Sequence, residues 1–160
     1  MVQLLDNMIA LIKDELMSNK ECKKLISFYK KNKNKADKFR DVFPLALDIS
    51  KDLDPTLVNK INYLSSTINN SIIDWAQLVY WPKGSKQELH SDNASPLTTL
   101  SSICYLNEDF EGGQTYFKEG TVFTPKTGRI LFFDGKYYLH GVKKVLSKDR
   151  YVLAIWYRNK

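Results

Sequence analysis

The chain has 160 residues, 43% of them hydrophobic and 26% charged, with a formal net charge of +6. That length suits one domain and is too short for two ordinary ones. The composition is ordinary for a soluble globular protein, and the absence of any apolar run near the roughly 20 residues of a membrane span excludes a helical membrane protein. The opening "MVQLLDNMIALIKDEL" lacks a basic start and carries Asp6 and Asp14 around its apolar stretch. It does not read as a secretion signal, and a cytoplasmic protein is expected. Cys22 and Cys104 lie far apart with no CxxC spacing, so buried free thiols in a reducing compartment are expected.

The first third reads as helical with one strand in it. In "SNKECKKLISFYKK", Ser18 precedes Glu21 by three, a capping-box pattern, and Cys22, Leu25, Ile26 and Tyr29 fall on one helical face. The run that follows, "KKNKNKADKFR", sets Lys30, Lys31, Lys33, Lys35, Lys38 and Arg40 against a single aspartate, Asp37. It reads first as a solvated loop or helix end, and otherwise as a patch for nucleic acid or an acidic partner. "DVFPLALDI" is strand-like. "DPTLVNKINYLSSTI" opens with an aspartate cap and a proline in the first turn and aligns Leu57, Ile61, Leu64 and Ile68, which predicts a second packing helix.

From residue 72 the texture changes to short β-type runs, "IIDWAQLVYW", "LTTLSSICYL", "GGQTYF", "TVFTP", "GRILFF" and "RYVLAIWY", separated by turn chemistry such as "PKGS" and "DGK". Many short strands at this spacing indicate a sandwich or jelly-roll barrel, with the helices packed against one side. In the last run, Arg150, Val152, Ala154 and Trp156 share one strand face, while Tyr151, Leu153, Ile155 and Tyr157 share the other. The second face suits packing under helices. The first places a permanent charge among smaller groups, as an anion pocket would.

The chain contains only two histidines. His90 and Asp92 are two apart and share a face if the strand continues through them, and His140 lies 50 residues on. Two histidines and one carboxylate form the facial triad that leaves three positions open on non-haem Fe(II). A buried arginine such as Arg150 needs a partner, either an internal acid or a dicarboxylate cosubstrate held bidentately.

From about Gln77 to Tyr157 the sequence resembles the 2-oxoglutarate and Fe(II)-dependent dioxygenases of the prolyl 4-hydroxylase type. The pattern HxD, then His, then ten residues on a basic residue followed by an aromatic, is that family's signature. "CYLNEDFEGGQTYF", "TPKTGRILFF" and "RYVLAIWY" resemble further family segments, and "DELMSNKECKKLI" is similar to its opening helix. The resemblance implies an α+β, mainly β fold, a double-stranded β-helix (jelly-roll) barrel with N-terminal helices packed on one sheet. Residues 1–160 would form one domain, with 1–71 a helical support region and 72–160 the catalytic core.

By the same resemblance, His90, Asp92 and His140 bind iron and Arg150 binds the far carboxylate of 2-oxoglutarate. The Tyr105 hydroxyl helps to hold that carboxylate, Tyr80 lines the cosubstrate pocket and Trp156 walls the same cavity. Gln87 departs from the pattern, standing where many members have tyrosine. Arg150 stands where collagen-type enzymes use lysine. Asp92 keeps the carboxylate that related halogenases replace, which favours hydroxylation.

The implied activity is hydroxylation of a prolyl residue in a peptide or protein at the 4-position. It is coupled to decarboxylation of 2-oxoglutarate to succinate and CO2, with Fe(II), 2-oxoglutarate, O2 and ascorbate as reductant. A hydroxylase of a free amino acid or other small molecule is the enzyme alternative. A cupin-like barrel that binds metal without turnover is the alternative from another class, although it has no use for Arg150 in a pocket. Nucleic acid is disfavoured as a substrate, because alkylation-repair dioxygenases usually place a second arginine six after the first, where this chain has Trp156. Oligomeric state is not readable.

Overall fold

The computed structural model describes residues 2–4 and 10–160. Two strands come first, β1 (Val2–Leu4) and β2 (Ala10–Lys13), then helix α1 (Asn19–Asn32). Ser18 starts that helix by accepting from the Glu21 amide at 3.2 Å, and the Glu21 carboxylate accepts from the Ser18 amide at 2.7 Å, which completes the capping box. Strand β3 (Phe43–Ala46), the short α2 (Ile49–Asp52) and α3 (Pro55–Asn69) follow. Asp54 caps α3 through the Thr56 amide at 2.8 Å, with Pro55 in the first turn. A left-handed Asn70 (φ 57°) ends it. The remaining strands are β4 (Ser71–Trp81), β5 (Gln87–His90), β6 (Thr98–Tyr105), β7 (Glu111–Gly112), β8 (Thr115–Phe117), β9 (Val122–Phe123), β10 (Ile130–Phe133), β11 (His140–Val142), β12 (Val145–Ser147) and β13 (Arg150–Asn159).

These strands form a seven-stranded antiparallel sheet in the order β1-β2-β10-β6-β13-β4-β3, a four-stranded sheet β5-β11-β8-β9, and a small β12-β7 ribbon. The two large sheets face each other as a jelly-roll. Phe117 and Phe123 of the smaller sheet pack on Leu131 and Phe133 of the larger one, and Val142 packs on Val152 and Ala154. The outer face of the larger sheet carries the helices. Cys22, Leu25 and Tyr29 of α1 and Leu57, Ile61 and Leu64 of α3 bury against Leu78, Leu100, Leu153 and Ile155. Fully burying one such aliphatic side chain contributes about 1.5–3 kcal/mol, so this layer holds the helices in place far more than their intrinsic propensity does.

The alternation along β13 puts Leu153, Ile155 and Tyr157 under the helices and Val152 and Ala154 between the sheets. Both cysteines are buried and free, and burial pushes the Cys22 thiol up to about 11. Three expectations are corrected. The region before residue 72 is more than helical support, because β2 pairs with β10 at one side of the large sheet while β3 pairs with β4 at the other. "GGQTYF" is two strands, because β7 and β8 pair with different partners. Finally, β5 stops at His90, so Asp92 is not a strand residue. Among the described residues, no helix is long and apolar enough to cross a membrane.

Candidate active site

His90 closes β5 and His140 opens β11, and the antiparallel pairing of those strands sets the two histidines directly opposite each other. Their rings lie 4.4 Å apart between centroids. Each Nδ1 sits at hydrogen-bond distance from a main-chain carbonyl, Glu88 O at 3.0 Å for His90 and Tyr138 O at 2.9 Å for His140. A proton on each Nδ1 leaves each Nε2 as a lone-pair donor, the tautomer a metal ligand requires. Both Nε2 atoms point at Asp92 Oδ1, at 3.5 and 3.4 Å.

Since Asp92 lies beyond the strand, loop contacts position it. Its amide donates to Gly135 O at 2.8 Å, and its Oδ2 accepts from Ser101 Oγ at 2.6 Å. The turn carrying Gly135 is held by Asp134 Oδ1, which accepts from the Lys136 and Tyr137 amides. A Cβ at position 135 would collide with Asp92 Oδ2 and Ser101 Oγ, so only glycine permits this approach. Burial pushes the Asp92 carboxyl up, but the facing His140 and His90, together with the Ser101 hydroxyl, outweigh it and hold the group well below the usual carboxylate range. Burial also lowers the His90 pKa, yet Asp92 and the Glu88 carbonyl raise it overall, with the Arg40 charge acting in the opposite sense. The three ligand atoms lie within 4.8 Å of one another. The fourth oxygen-rich or nitrogen-rich side needed for a closed structural metal site is missing among the described residues, which suits an open, catalytic centre.

Arg150 opens β13 and is completely buried. Its guanidinium carbon sits 4.7 Å from the Trp81 ring centroid and 5.5 Å from that of Tyr105. Among the described residues none of its three nitrogens has a well-formed hydrogen-bond partner, and the buried Trp81 Nε1 has none either. Burial draws the Arg150 pKa down to about 10, which leaves it charged at neutral pH. Among the described residues no carboxylate pairs with Arg150, so the internal-acid alternative is removed, and the Tyr105 hydroxyl is the polar group that favours its charged form. Tyr105 Oη shares a 2.6 Å hydrogen bond with Thr115 Oγ1.

Strand register brings the two clusters near each other. Thr115 pairs with Val142 and Phe117 with His140 across β8 and β11, so Thr115 and Tyr105 lie two residues along the strand from His140, roughly 7 Å. Tyr80, expected to line this pocket, does not. It pairs with Tyr151 on the helix-facing side and packs against Tyr29, Phe43 and Tyr151. Trp81, which pairs with Arg150, takes the pocket position instead. Trp156 does lie on the Arg150 face, but about 20 Å further along β13, where it stacks on Trp75 at 3.8 Å and pairs with Ser101, at the Asp92 end. Gln87 pairs with Val142 and borders a recess with Trp81, Arg40 and Val42. A groove of about 760 Å³ near Asn19, Lys30, Asn107 and Tyr151 lies on the opposite face of the large sheet.

The family profile described as "2OG-Fe(II) oxygenase superfamily" matches residues 76–158, just over half of the chain and all of the site above. The chain belongs to this superfamily. Within the 2OG-Fe(II) oxygenases, it is 42% identical over 64 residues to prolyl 3-hydroxylase 1 of Gallus gallus, a match that spans 36% of this chain and 9% of that protein. The chain thus covers only a small fraction of the length of its curated relatives. Over nearly the whole chain the fold is similar to a viral collagen prolyl hydroxylase from Paramecium Bursaria Chlorella virus-1 (TM-score 0.74, 20% identity, 99% of each chain). It is also similar to a prolyl-4-hydroxylase of Pseudomonas putida (TM-score 0.74, 14% identity, 96% of this chain and 94% of that one).

Proposed function

We propose that the domain hydroxylates prolyl residues in a peptide or protein, at the 4-position, by the balanced reaction substrate–H + O2 + 2-oxoglutarate → substrate–OH + succinate + CO2. The observation that carries the cosubstrate half is the orphaned Arg150 guanidinium. The far carboxylate of a dicarboxylate bound at the triad would take two parallel hydrogen bonds from the Arg150 fork, whose nitrogens lack a partner among the described residues. Trp81 Nε1 supplies a further donor, and the Tyr105–Thr115 hydroxyl pair completes the polar lining. His90, Asp92 and His140 would hold iron, which supplies O2 activation when bound. The chain's own contribution is to fix the histidine tautomers through Glu88 O and Tyr138 O, to orient Asp92 through Ser101, and to keep the cosubstrate pocket dry with Val142, Val145 and Val152.

The prolyl substrate is supported by two observations. The relatives and neighbours named above are prolyl hydroxylases. The half-exposed Trp75–Trp156 stack, on the inner face beside Ser101, also offers flat aromatic surface of the kind that receives a proline ring. The likeness to prolyl 3-hydroxylase 1 gives a second reading, in which oxygen enters at the 3-position. The test incubates the protein anaerobically with Fe(II) and 2-oxoglutarate to look for the visible charge-transfer band of the chelate. O2, ascorbate and proline-containing peptides are then added. Succinate in proportion to peptides heavier by one oxygen atom supports the proposal, and fragmentation with chromatography of the hydrolysed amino acids separates the two positions. Oxidation of free proline alone would instead establish the small-molecule reading, and binding of both ligands without succinate the non-catalytic barrel.

A further inference from the structure

The basic run joins the end of α1 to the active-site rim. Between residues 30 and 41 stand Lys30, Lys31, Lys33, Lys35, Lys38 and Arg40 against Asp37 and Asp41, and all eight side chains are exposed. Among the described residues none of the six cations forms an ion pair, whereas Lys51, Lys86, Lys126, Arg129, Lys148 and Arg158 each do. The run therefore concentrates positive charge that no ion pair offsets.

Its geometry aims that charge at the site. Asp37 N donates to Pro44 O, and Phe39 and Val42 then exchange both backbone hydrogen bonds at 3.0 Å, which closes a tight hairpin with Arg40 and Asp41 at its tip. Arg40 is left-handed, φ 53°, a conformation that glycine would adopt without strain. The hairpin is anchored by Val42, which is buried with Trp81, Tyr105 and Val142 in the wall of the cosubstrate cavity. Phe39, Arg40 and Asp41 border one recess with Trp81, Lys86 and Gln87, and Gln87 begins the strand that ends at His90.

We propose that Lys33, Lys35, Lys38 and Arg40 form a docking track for an acidic segment adjoining the target residue, so that the substrate is an acidic, proline-containing polypeptide. The assignment of the target as proline rests on the function proposed above; the track itself does not. A polypeptide fits better than a nucleic acid, because the track holds a single aromatic, Phe39, with the Arg40 guanidinium over its ring at 5.4 Å, whereas single-stranded nucleic acid is held by several aromatics on which successive bases stack.

The test measures binding of three labelled peptides to the full chain by fluorescence anisotropy. They share one proline-containing centre and differ only in flanks of glutamate, glutamine or lysine, and a single-stranded oligonucleotide matching the charge of the glutamate peptide is the fourth probe. The glutamate peptide should bind on the order of 10-fold tighter than the glutamine peptide at low ionic strength, with the gap closing as salt rises. The gap should vanish in Lys33→Glu/Lys35→Glu/Lys38→Glu and shrink in Arg40→Glu, with melting temperatures showing both variants folded. Equal binding of the glutamate and glutamine peptides, an unaltered gap in the triple variant, or preference for the oligonucleotide would each overturn the track. Oxygen gain by the same peptides separates the two proposals. Variant-sensitive binding of the glutamate peptide with no peptide oxidised would keep the track and reject prolyl hydroxylation. Equal oxidation of the glutamate and glutamine peptides would do the reverse.

Discussion

Arg150 is fully buried with no carboxylate beside it among the described residues, and Asp92 is partly buried against two imidazoles and a serine hydroxyl. The two side chains serve different ligands, so their substitutions should separate. Arg150→Ala is expected to raise the 2-oxoglutarate dissociation constant roughly 10–100-fold, the equivalent of about 1.5–3 kcal/mol for a charge-assisted pair, while leaving Fe(II) affinity intact. Arg150→Lys should recover part of the loss, since an ammonium cannot reproduce the fork. Ser101→Ala should do the opposite, costing about 10–100-fold in Fe(II) affinity by freeing Asp92. Calorimetric titration with each ligand checks both, and equal losses in either variant would mark a structural role. Asp92→Ala removes a proposed ligand and is expected to abolish succinate formation.

The strand β13 separates stability from ligand binding by parity alone. Leu153 is fully buried under the helices, so Leu153→Ala is expected to cost about 2–5 kcal/mol in urea denaturation. Its effect on the 2-oxoglutarate dissociation constant should be negligible, because Arg150 lies on the other face. Strand β2, between β1 and β10, is fastened differently. Asp14, just after it, accepts from Arg129 Nε at 2.6 Å and Nη2 at 3.2 Å, and Arg129 immediately precedes β10. The Arg129 hydrogen bond holds the Asp14 carboxyl down to about 2, against the upward push of burial. A carboxyl depressed in the folded state contributes stability that is complete above about pH 4 and is lost as pH falls toward 2, since the unfolded chain then binds the extra proton. The difference in melting temperature between the wild type and Asp14→Asn should therefore be constant near neutrality and shrink between about pH 4 and pH 2.

Taken together, the two sheets enclose a charge that only a ligand neutralises, so ligands should stabilise the fold as a unit. A cosubstrate present at 100 times its dissociation constant is expected to add about 2.7 kcal/mol, and the gain should appear as a higher melting temperature under anaerobic conditions with Fe(II). In Arg150→Ala the increment from the same 2-oxoglutarate concentration should fall to about 0.4–1.4 kcal/mol while the increment from the metal remains. A cosubstrate effect undiminished by loss of Arg150 would place the dicarboxylate elsewhere, with the helix-side groove beside Lys30 and Tyr151 the first place to look.

Patterns set by residues two to four apart were readable without a fold. The Ser18–Glu21 box, the proline start of α3, the apolar stripes of both helices and the two faces of β13 depend on local geometry, and the structure reproduces each. The set His90, Asp92, His140 and Arg150 was also legible, because its residue types are costly to bury without a ligand. Long-range pairing decided the rest. Whether Tyr80 or Trp81 faces Arg150 depends on how β4 registers against β13, and a shift of one residue exchanges them. Ser101, Thr115 and Gly135 are small, common residues with no local signal, and they matter only because β6, β8 and the 134–137 turn arrive beside Asp92 and Tyr105. Strand β2 was unmarked for the same reason, since its partner β10 is more than 100 residues away. The basic run could be read as charge, but only the Phe39–Val42 hairpin gives that charge a direction, toward the recess beside Trp81 and Gln87.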